Sequence, residues 1–340
     1  MTTIKDIAKA AGVSTTTVSN VIHGNASRVS AQTVERIRQL IAETGYAPNL
    51  SARALVNSTS RIIGVVNQVV PQASGGFFQD PFSGALLTGI EQSLRRNDYY
   101  LMVRTVDSAS ELLRLLVNWS IDGLIFIGVF SEEFYQTIKT TQKPFLLIDS
   151  YIDDPEPLQL RLEDEQGGYL AAKHLLEMGH RNILFCGPAQ DSGGVIGMRR
   201  QGFLRAMREW GIAHPAENDY DCEFEMDEGR ALGQRLAERR DYTAIFATAD
   251  MLAVEIVSGL QSAGRHVPQE ISVVGFDDLP IARMCTPQLT TIHQDITARG
   301  ERAAQMLVDS LEGRRPENCV FPVRLQQRES VIRINRTGEE

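Results

Sequence analysis

The chain of 340 residues is short of several things, and each shortage removes a class of function. It has four cysteines, Cys186, Cys222, Cys285 and Cys319, set far apart with no C-x-x-C pair. That spacing supports neither a disulfide framework nor a zinc site, and reads as reduced thiols. No apolar run approaches the roughly 20 residues that a membrane span requires, so no membrane partner is expected. The start, Met1-Thr2-Thr3-Ile4-Lys5-Asp6, lacks a basic stretch followed by an apolar one, so no secretory signal is visible and the cytoplasm is the expected location. No G-x-G-x-x-G follows the first strand-like run, and there is no phosphate loop and no G-x-S-x-G. The six histidines, His23, His174, His180, His214, His266 and His293, show no metal-ligand spacing. His180 and His293 have a catalytic look, but a histidine after a helix-ending glycine is more often a cap or surface residue. Neither an enzyme nor a metal or cofactor is expected.

What is present points elsewhere. The length suggests two or three domains, and 43% hydrophobic residues is the composition of a soluble globular protein. The net charge of −9 argues against a nucleic-acid partner if taken whole. It is unevenly spread: residues 1–61 carry seven Lys/Arg against three acids, and the remainder has 27 bases against 40 acids. A basic head on an acidic body suits a protein that docks one end on phosphate.

That head has a recognisable layout. Residues 3–11 form a short amphipathic helix with Ile4, Ile7, Ala8 and Ala11 on one stripe, and Thr3 and Asp6 spaced as a capping box. Gly12-Val13 makes a tight turn. Ser14 is a good N-cap for a second helix, on which Val18, Val21 and Ile22 face one way and Thr16, Asn20 and His23 the other, with Thr15 at the tip. A third helix follows Ser30, carries Val34, Ile37, Leu40 and Ile41 on one face, and ends at Gly45. Helix, glycine turn, helix with a hydrogen-bonding face is the helix-turn-helix pattern, although the same polar face on a small three-helix domain also suits plain solvation.

Beyond Arg61 short apolar runs at 62–66, 99–103, 123–127, 145–148, 183–186, 244–247 and 271–275 alternate with helical stretches at 84–96, 168–178, 199–210, 227–239 and 252–263. That alternation predicts parallel sheets covered on both faces. The runs are too many for one compact sheet, so two similar lobes are expected, with a ligand at the C-terminal strand ends between them.

The wording T-I-K-D-I-A-K-A-A-G-V-S-T-T-T-V-S-N-V-I resembles the N-terminal module of the lactose/galactose repressor family of bacterial transcription regulators. Matching segments continue through Asp122-Gly123-Leu124-Ile125, Gly179-His180-Arg181, Cys186-Gly187-Pro188, Val274-Gly275-Phe276-Asp277, Thr286-Pro287-Gln288-Leu289-Thr290-Thr291-Ile292 and Leu325-Gln326-Gln327-Arg328-Glu329-Ser330. The resemblance implies an all-α helix-turn-helix head and an α/β periplasmic-binding-protein-like core of two doubly wound lobes. It places the head at 1–47, a hinge helix and linker at 48–60, and an effector-binding and dimerisation core at 61–340. Lobe 1 would take about 61–162 and 293–325, and lobe 2 about 163–292 and 326–340, with crossings near 161–164, 291–294 and 325–328. Ser14, Thr15, Thr16, Asn20 and His23 would meet double-stranded DNA in the major groove. Read without the family, residues 47–55 are a linker; by resemblance they pair over the minor groove, with Leu55 as the wedge, Ala52 as a close-packing position and Arg53 on phosphate.

For the interlobe site the resemblance implies Arg199, Asp277 and Phe224, with Asp250, Asp149, Asp164 and Phe82 as further candidates. Each has a plainer alternative: Asp277 and Asp250 as helix caps, Phe224 as core. Two departures stand out. The stretch between Gly64 and Asp80-Pro81-Phe82 is longer than the family usually carries, and that from Asp107 to Asp122 is shorter; in addition, Ala249 stands where relatives often have asparagine. Carboxylates, a guanidinium and an aromatic face suit a neutral polyhydroxylated ligand, a sugar first and a nucleobase or nucleoside second. The expected function is a repressor on a near-palindromic operator, controlled by that small molecule. A sugar-binding transport component with the same core is the alternative. Residues 335–340 lack the heptads of a tetramerising helix, so a homodimer is expected.

Overall fold

The computed structural model describes residues 2–22, 26–46, 59–67, 78–129, 131–188, 194–224 and 227–334. The chain divides into two units, Met1–Ser60 and Arg61–Glu340.

In the first unit three helices enclose a small core: α1 (Ile4–Ala11), α2 (Thr15–Ile22) and α3 (Ala31–Thr44). The capping box forms, with Thr3 N–H donating to Asp6 Oδ2 at 2.9 Å and Asp6 N–H to Thr3 Oγ1 at 3.4 Å. Gly12 ends α1 at φ +69°, a left-handed turn that glycine enters without a Cβ penalty. It lets α2 restart at once, where Ser14 Oγ accepts from Thr17 N–H at 3.1 Å. Ser30 caps α3 in the same way, at 3.2 Å from Thr33 N–H. Ile7, Ala8, Ala11, Val18, Val21 and Ile37 form the buried centre, and Arg36 Nη2 donates to the Ala10 carbonyl at 3.0 Å, closing the end of α1. An N-cap serine is worth about 1 kcal/mol, so Ser30→Ala is expected to lower the unfolding free energy of this unit by that much, seen as a lower urea midpoint, leaving the body's transition unchanged.

The second unit holds two six-stranded sheets. The first runs β11-β5-β4-β3-β1-β2, with β1 Ile62–Asn67, β2 Tyr100–Thr105, β3 Gly123–Ile127, β4 Phe145–Ile148, β5 Leu158–Leu162 and β11 Cys319–Phe321, all parallel. Its helices are α4 (Pro81–Arg96), α5 (Ala109–Asn118), α6 (Glu132–Thr140) and α12 (Ile296–Leu311). The second runs β12-β10-β9-β8-β6-β7, with β6 Ile183–Gly187, β7 Asp219–Asp221, β8 Ala244–Ala247, β9 Ser272–Asp277, β10 Thr290–His293 and β12 Arg324–Gln326. Among the described residues of this sheet only β12 is antiparallel to its neighbour. Helices α7 (Asp164–Glu177), α8 (Gly194–Glu209), α9 (Glu228–Leu236), α10 (Asp250–Ser262) and the short α11 (Ile281–Met284) accompany it. The central strands β3, β6 and β8 are buried along their whole length, as parallel sheets covered on both faces demand.

The chain passes between sheets three times: from β5 into α7, from β10 through Gln294-Asp295 into α12, and from β11 through Pro322-Val323 into β12. The third passage corrects the expected boundary at 325–328. Arg324–Gln326 already pairs with β10, because Thr291 and His293 offer it an open antiparallel edge. Lobe 2 therefore resumes at Arg324, not at 326.

Candidate nucleic-acid interface and interlobe site

On α2 the burial follows the helix period. Val18 and Val21 are enclosed, while Ser14, Thr15, Thr16 and Asn20 are exposed. The outer face therefore offers hydroxyls and one carboxamide, which both donate and accept, at the tip and along the first two turns. That is the chemistry that reads base edges in a major groove. His23, Ala52, Arg53 and Leu55 lie outside the described residues.

The interlobe site is built at the C-terminal strand ends. Asp149 follows β4 and Asp277 ends β9, and both have positive φ, +54° and +116°, as do Tyr151 at +44° and Asp278 at +60°. Four non-glycine residues in this region of φ/ψ space, gathered at the ends of two sheets, store backbone strain of a kind that concentrates at functional sites.

Arg199 is the centre of the second lobe's contribution. Its helix α8 lies against α7 at closest approach: a Cβ on Gly168 would sit 1.8 Å from the Arg199 carbonyl oxygen, and one on Gly202 would sit 1.7 Å from that of Glu165. Only hydrogen fits, and the crossing delivers the buried Arg199 side chain to Asp164, with Nε donating to Oδ1 at 2.8 Å and Nη1 to the Thr248 carbonyl at 2.6 Å. The guanidinium carbon lies 3.5 Å over the Phe276 ring centre. Burial works against its charge, but Asp164 and Asp277 outweigh that and hold the guanidinium protonated. The other Asp164 oxygen accepts from the Tyr151 hydroxyl, whose oxygen also lies 3.1 Å from the Leu162 carbonyl oxygen, so a first-lobe tyrosine reaches a second-lobe carboxylate. Gly168→Val is expected to cost about 1–3 kcal/mol by overpacking and to loosen Arg199, seen as a lower melting temperature.

The remaining carboxylates divide. Asp277 Oδ1 accepts from Gln294 Nε2 at 2.6 Å. Burial pushes its pKa up to about 7, against the pull of Arg199 and Gln294, with Asp80 adding to the rise. Asp149 accepts from Arg299 Nη2, and burial raises its pKa also, with the Arg299 charge opposing. Asp250 is a correction to the candidate set. It is fully enclosed, its Oδ1 accepting from Thr291 Oγ1 at 2.5 Å and its Oδ2 from Leu279 N–H at 2.8 Å. Both oxygens are spent on holding the β9–α11 loop and β10, and burial drives its pKa well upward. Phe82 lies in the first turn of α4, capped by Asp80, and packs half-buried on a core cluster that includes Leu279 and Ile296. Phe224 is 43% exposed, beyond β7, rather than core. The two catalytic-looking histidines are structural: His180 is enclosed between Thr243 Oγ1 and the Ile332 carbonyl, its pKa pushed down to about 4 by burial, and His293 pairs with Asp278 at 2.9 Å. Sequence reasoning missed Arg299, Gln294 and Tyr151.

An exposed recognition-type helix and two α/β lobes meeting at buried carboxylates and guanidiniums define a DNA-binding regulator with a ligand-binding body. Comparison with known proteins agrees. Residues 3–49 match the model described as bacterial regulatory proteins, lacI family, and residues 172–331 that of the periplasmic binding protein-like domain. The HTH-type transcriptional repressor PurR of Aliivibrio fischeri (strain ATCC 700601 / ES114) is 34% identical over 331 residues, 94% of this chain and 95% of that one. Among solved structures, the lac repressor dimer bound to operator and the anti-inducer ONPF is 25% identical with a TM-score of 0.85, covering 97% of this chain and 99% of that one. The transcriptional regulator CelR–cellobiose complex is 27% identical with a TM-score of 0.73, covering 97% and 100%. The chain belongs to the lacI family of bacterial regulatory proteins. It is a DNA-binding transcriptional regulator with an effector-binding domain, and not an enzyme.

Proposed function

We propose that this regulator is a homodimeric repressor whose hold on a near-palindromic operator is set by a sugar bound between its lobes, in the cytoplasm. The observation that carries the reading is the pair Asp149 and Asp277: one carboxylate per lobe, each in a strained strand-end conformation, flanked by Arg199 and Arg299. Each has one oxygen held by the chain and one that accepts no hydrogen bond among the described residues. Two acceptors on opposite lobes suit adjacent hydroxyls, with Phe224, Phe82 and Arg199 completing the wall and Asp164, its oxygens engaged by Arg199 and Tyr151, holding the guanidinium in place. A ligand that binds the closed arrangement better shifts the population towards it, and the paired DNA heads move with the lobes.

The dimer is supported by exposed apolar side chains on both lobes, Val117 and Trp119 on the first and Met284 and Met251 on the second, and by the dimer on operator that the lac repressor structure contains. Cellobiose in the CelR complex supports the sugar. A nucleobase is the second reading, favoured by Asp277: a carboxyl that titrates near neutrality both donates and accepts, and so pairs with an N–H/C=O edge.

Thermal-shift titration with cellobiose, ribose, adenine and guanine tests the class, since a specific ligand raises the melting temperature by mass action. A melting temperature that no sugar or nucleobase moves would overturn both readings. At the DNA end, Asn20→Ala is expected to relax discrimination at one base position by about 1–3 kcal/mol. Arg53→Ala is expected to weaken all sequences alike and flatten the salt dependence. Binding of both variants to an operator library separates the two effects.

A further inference from the structure

We infer that Arg299 is a positioning residue for the effector response, a single buried guanidinium that ties the ligand-facing carboxylate of the first lobe to that of the second through the crossover residue Gln294. The inference rests on the reading of the interlobe site as the effector site. Arg299 stands on α12, fully enclosed, and its two terminal nitrogens diverge: Nη2 donates to Asp149 Oδ1 and Nη1 to Gln294 Oε1. Gln294 then donates to Asp277 Oδ1 at 2.6 Å. Asp149 belongs to the end of β4 in lobe 1, Asp277 to the end of β9 in lobe 2, and Gln294 to the passage between them. The chain thus spans the junction at the point where the backbone itself crosses it.

Stability alone gives no reason for this arginine. It shares a stripe of α12 with the buried Ala303, Met306 and Leu307, where an apolar side chain would pack without desolvating a charge. Its Nε lies buried with no acceptor among the described residues, so the guanidinium is not fully satisfied. What it supplies is orientation. Each carboxylate is turned so that one oxygen is engaged and the other is left for a ligand, and a ligand that pulls on one carboxylate moves the donor serving the other. Asp149 is also faced by Asp164, Arg199 and Tyr151, and Asp277 by Arg199, Asp80, Asp164 and Asp250, but the described side chains link the two carboxylates by hydrogen bonds only through Arg299 and Gln294.

The test is carboxyl-carbon NMR titration of Asp149, Asp164 and Asp277 in the full-length, ligand-free protein. Arg299→Met is expected to raise the Asp149 midpoint by about one unit, as loss of a nearby cation does. It is also expected to displace that of Asp277, which Arg299 does not touch. Arg299→Lys is expected to restore Asp149 and not Asp277, because an ammonium lacks the planar fork that serves two partners. An Asp277 midpoint unmoved by Arg299→Met overturns the inference. Should that variant not fold, Gln294→Met cuts the same chain while keeping the charge, and must decouple the two midpoints. In parallel, operator affinity is measured with and without cellobiose, ribose, adenine and guanine. Any probe that shifts wild-type affinity is expected to shift that of Arg299→Met at least about tenfold less while still binding it, tenfold being 1.4 kcal/mol of coupling. If no probe binds the wild type, the effector reading fails and the titration still decides the role of Arg299.

Discussion

Arg199→Met is expected to lose about 3–5 kcal/mol of stability, the cost of breaking a buried ion pair from one side. The pair is deeply enclosed, with side-chain exposures of 7% for Arg199 and 0% for Asp164. Without the guanidinium, Asp164 keeps the Tyr151 hydroxyl but loses its counter-charge, and Asp277 loses the cation that opposes its burial. The Thr248 carbonyl also loses its donor. The double variant Arg199→Met/Asp164→Asn is expected to recover much of the loss, since it removes both charges and leaves no ion unpaired. Urea unfolding of the body's transition measures both. Equal destabilisation of the single and double variants would show that packing on Phe276, not charge, is what Arg199 contributes.

The second large effect is on pH. Asp277 in the folded chain titrates at about 7, against an ordinary value of 3.8. Between those values the folded state holds a proton that the unfolded chain has released, so stability falls as pH rises through this window and levels off above about 7. At 1.36 kcal/mol per unit the full swing is on the order of a few kcal/mol. Asp149 and Asp250, both pushed upward by burial, slope the same way. Asp277→Asn is expected to flatten the profile by one proton and to be more stable than the wild type at pH 8, while losing ligand affinity. Melting temperatures from pH 5 to 8 check it; a variant profile parallel to the wild type would place the titration elsewhere.

The head was legible because its signals are local. Thr3, Asp6, Gly12, Ser14, Ser30 and Gly45 are caps and turns whose chemistry acts within a few residues, and the alternation of Val18 and Val21 with Thr16 and Asn20 needs only the helix period. The long central strands were legible for a similar reason, being continuous apolar runs. Three of the four edge strands were not: Asp219–Asp221, Cys319–Phe321 and Arg324–Gln326 are three residues each and exist because a neighbour offers an open edge. In the interlobe site Arg199 and Asp277 were found by resemblance, whereas Arg299 was overlooked as one arginine among several on an amphipathic helix. A signal was there. Arg299 sits at i of the i, i+4, i+7 stripe completed by Ala303 and Met306, next to Gly300, whose place any Cβ would contest at 2.2 Å from the Leu86 carbonyl. A cation on the inward stripe of a helix is seldom ornamental. Asp250 misled because the sequence shows a carboxylate near a strand end but not that Thr291 and Leu279 have already claimed both its oxygens.

The weave of the two sheets sets an order of events during synthesis. The first sheet is completed only by Cys319–Phe321, and α12, which covers it, comes just before. Neither lobe is a continuous piece of chain, so neither can finish folding on the ribosome until almost everything has been made. The head needs only its first few dozen residues. At about 5–20 residues per second, the residues of the DNA-reading unit are made on the order of tens of seconds before the last strands of the body that controls it.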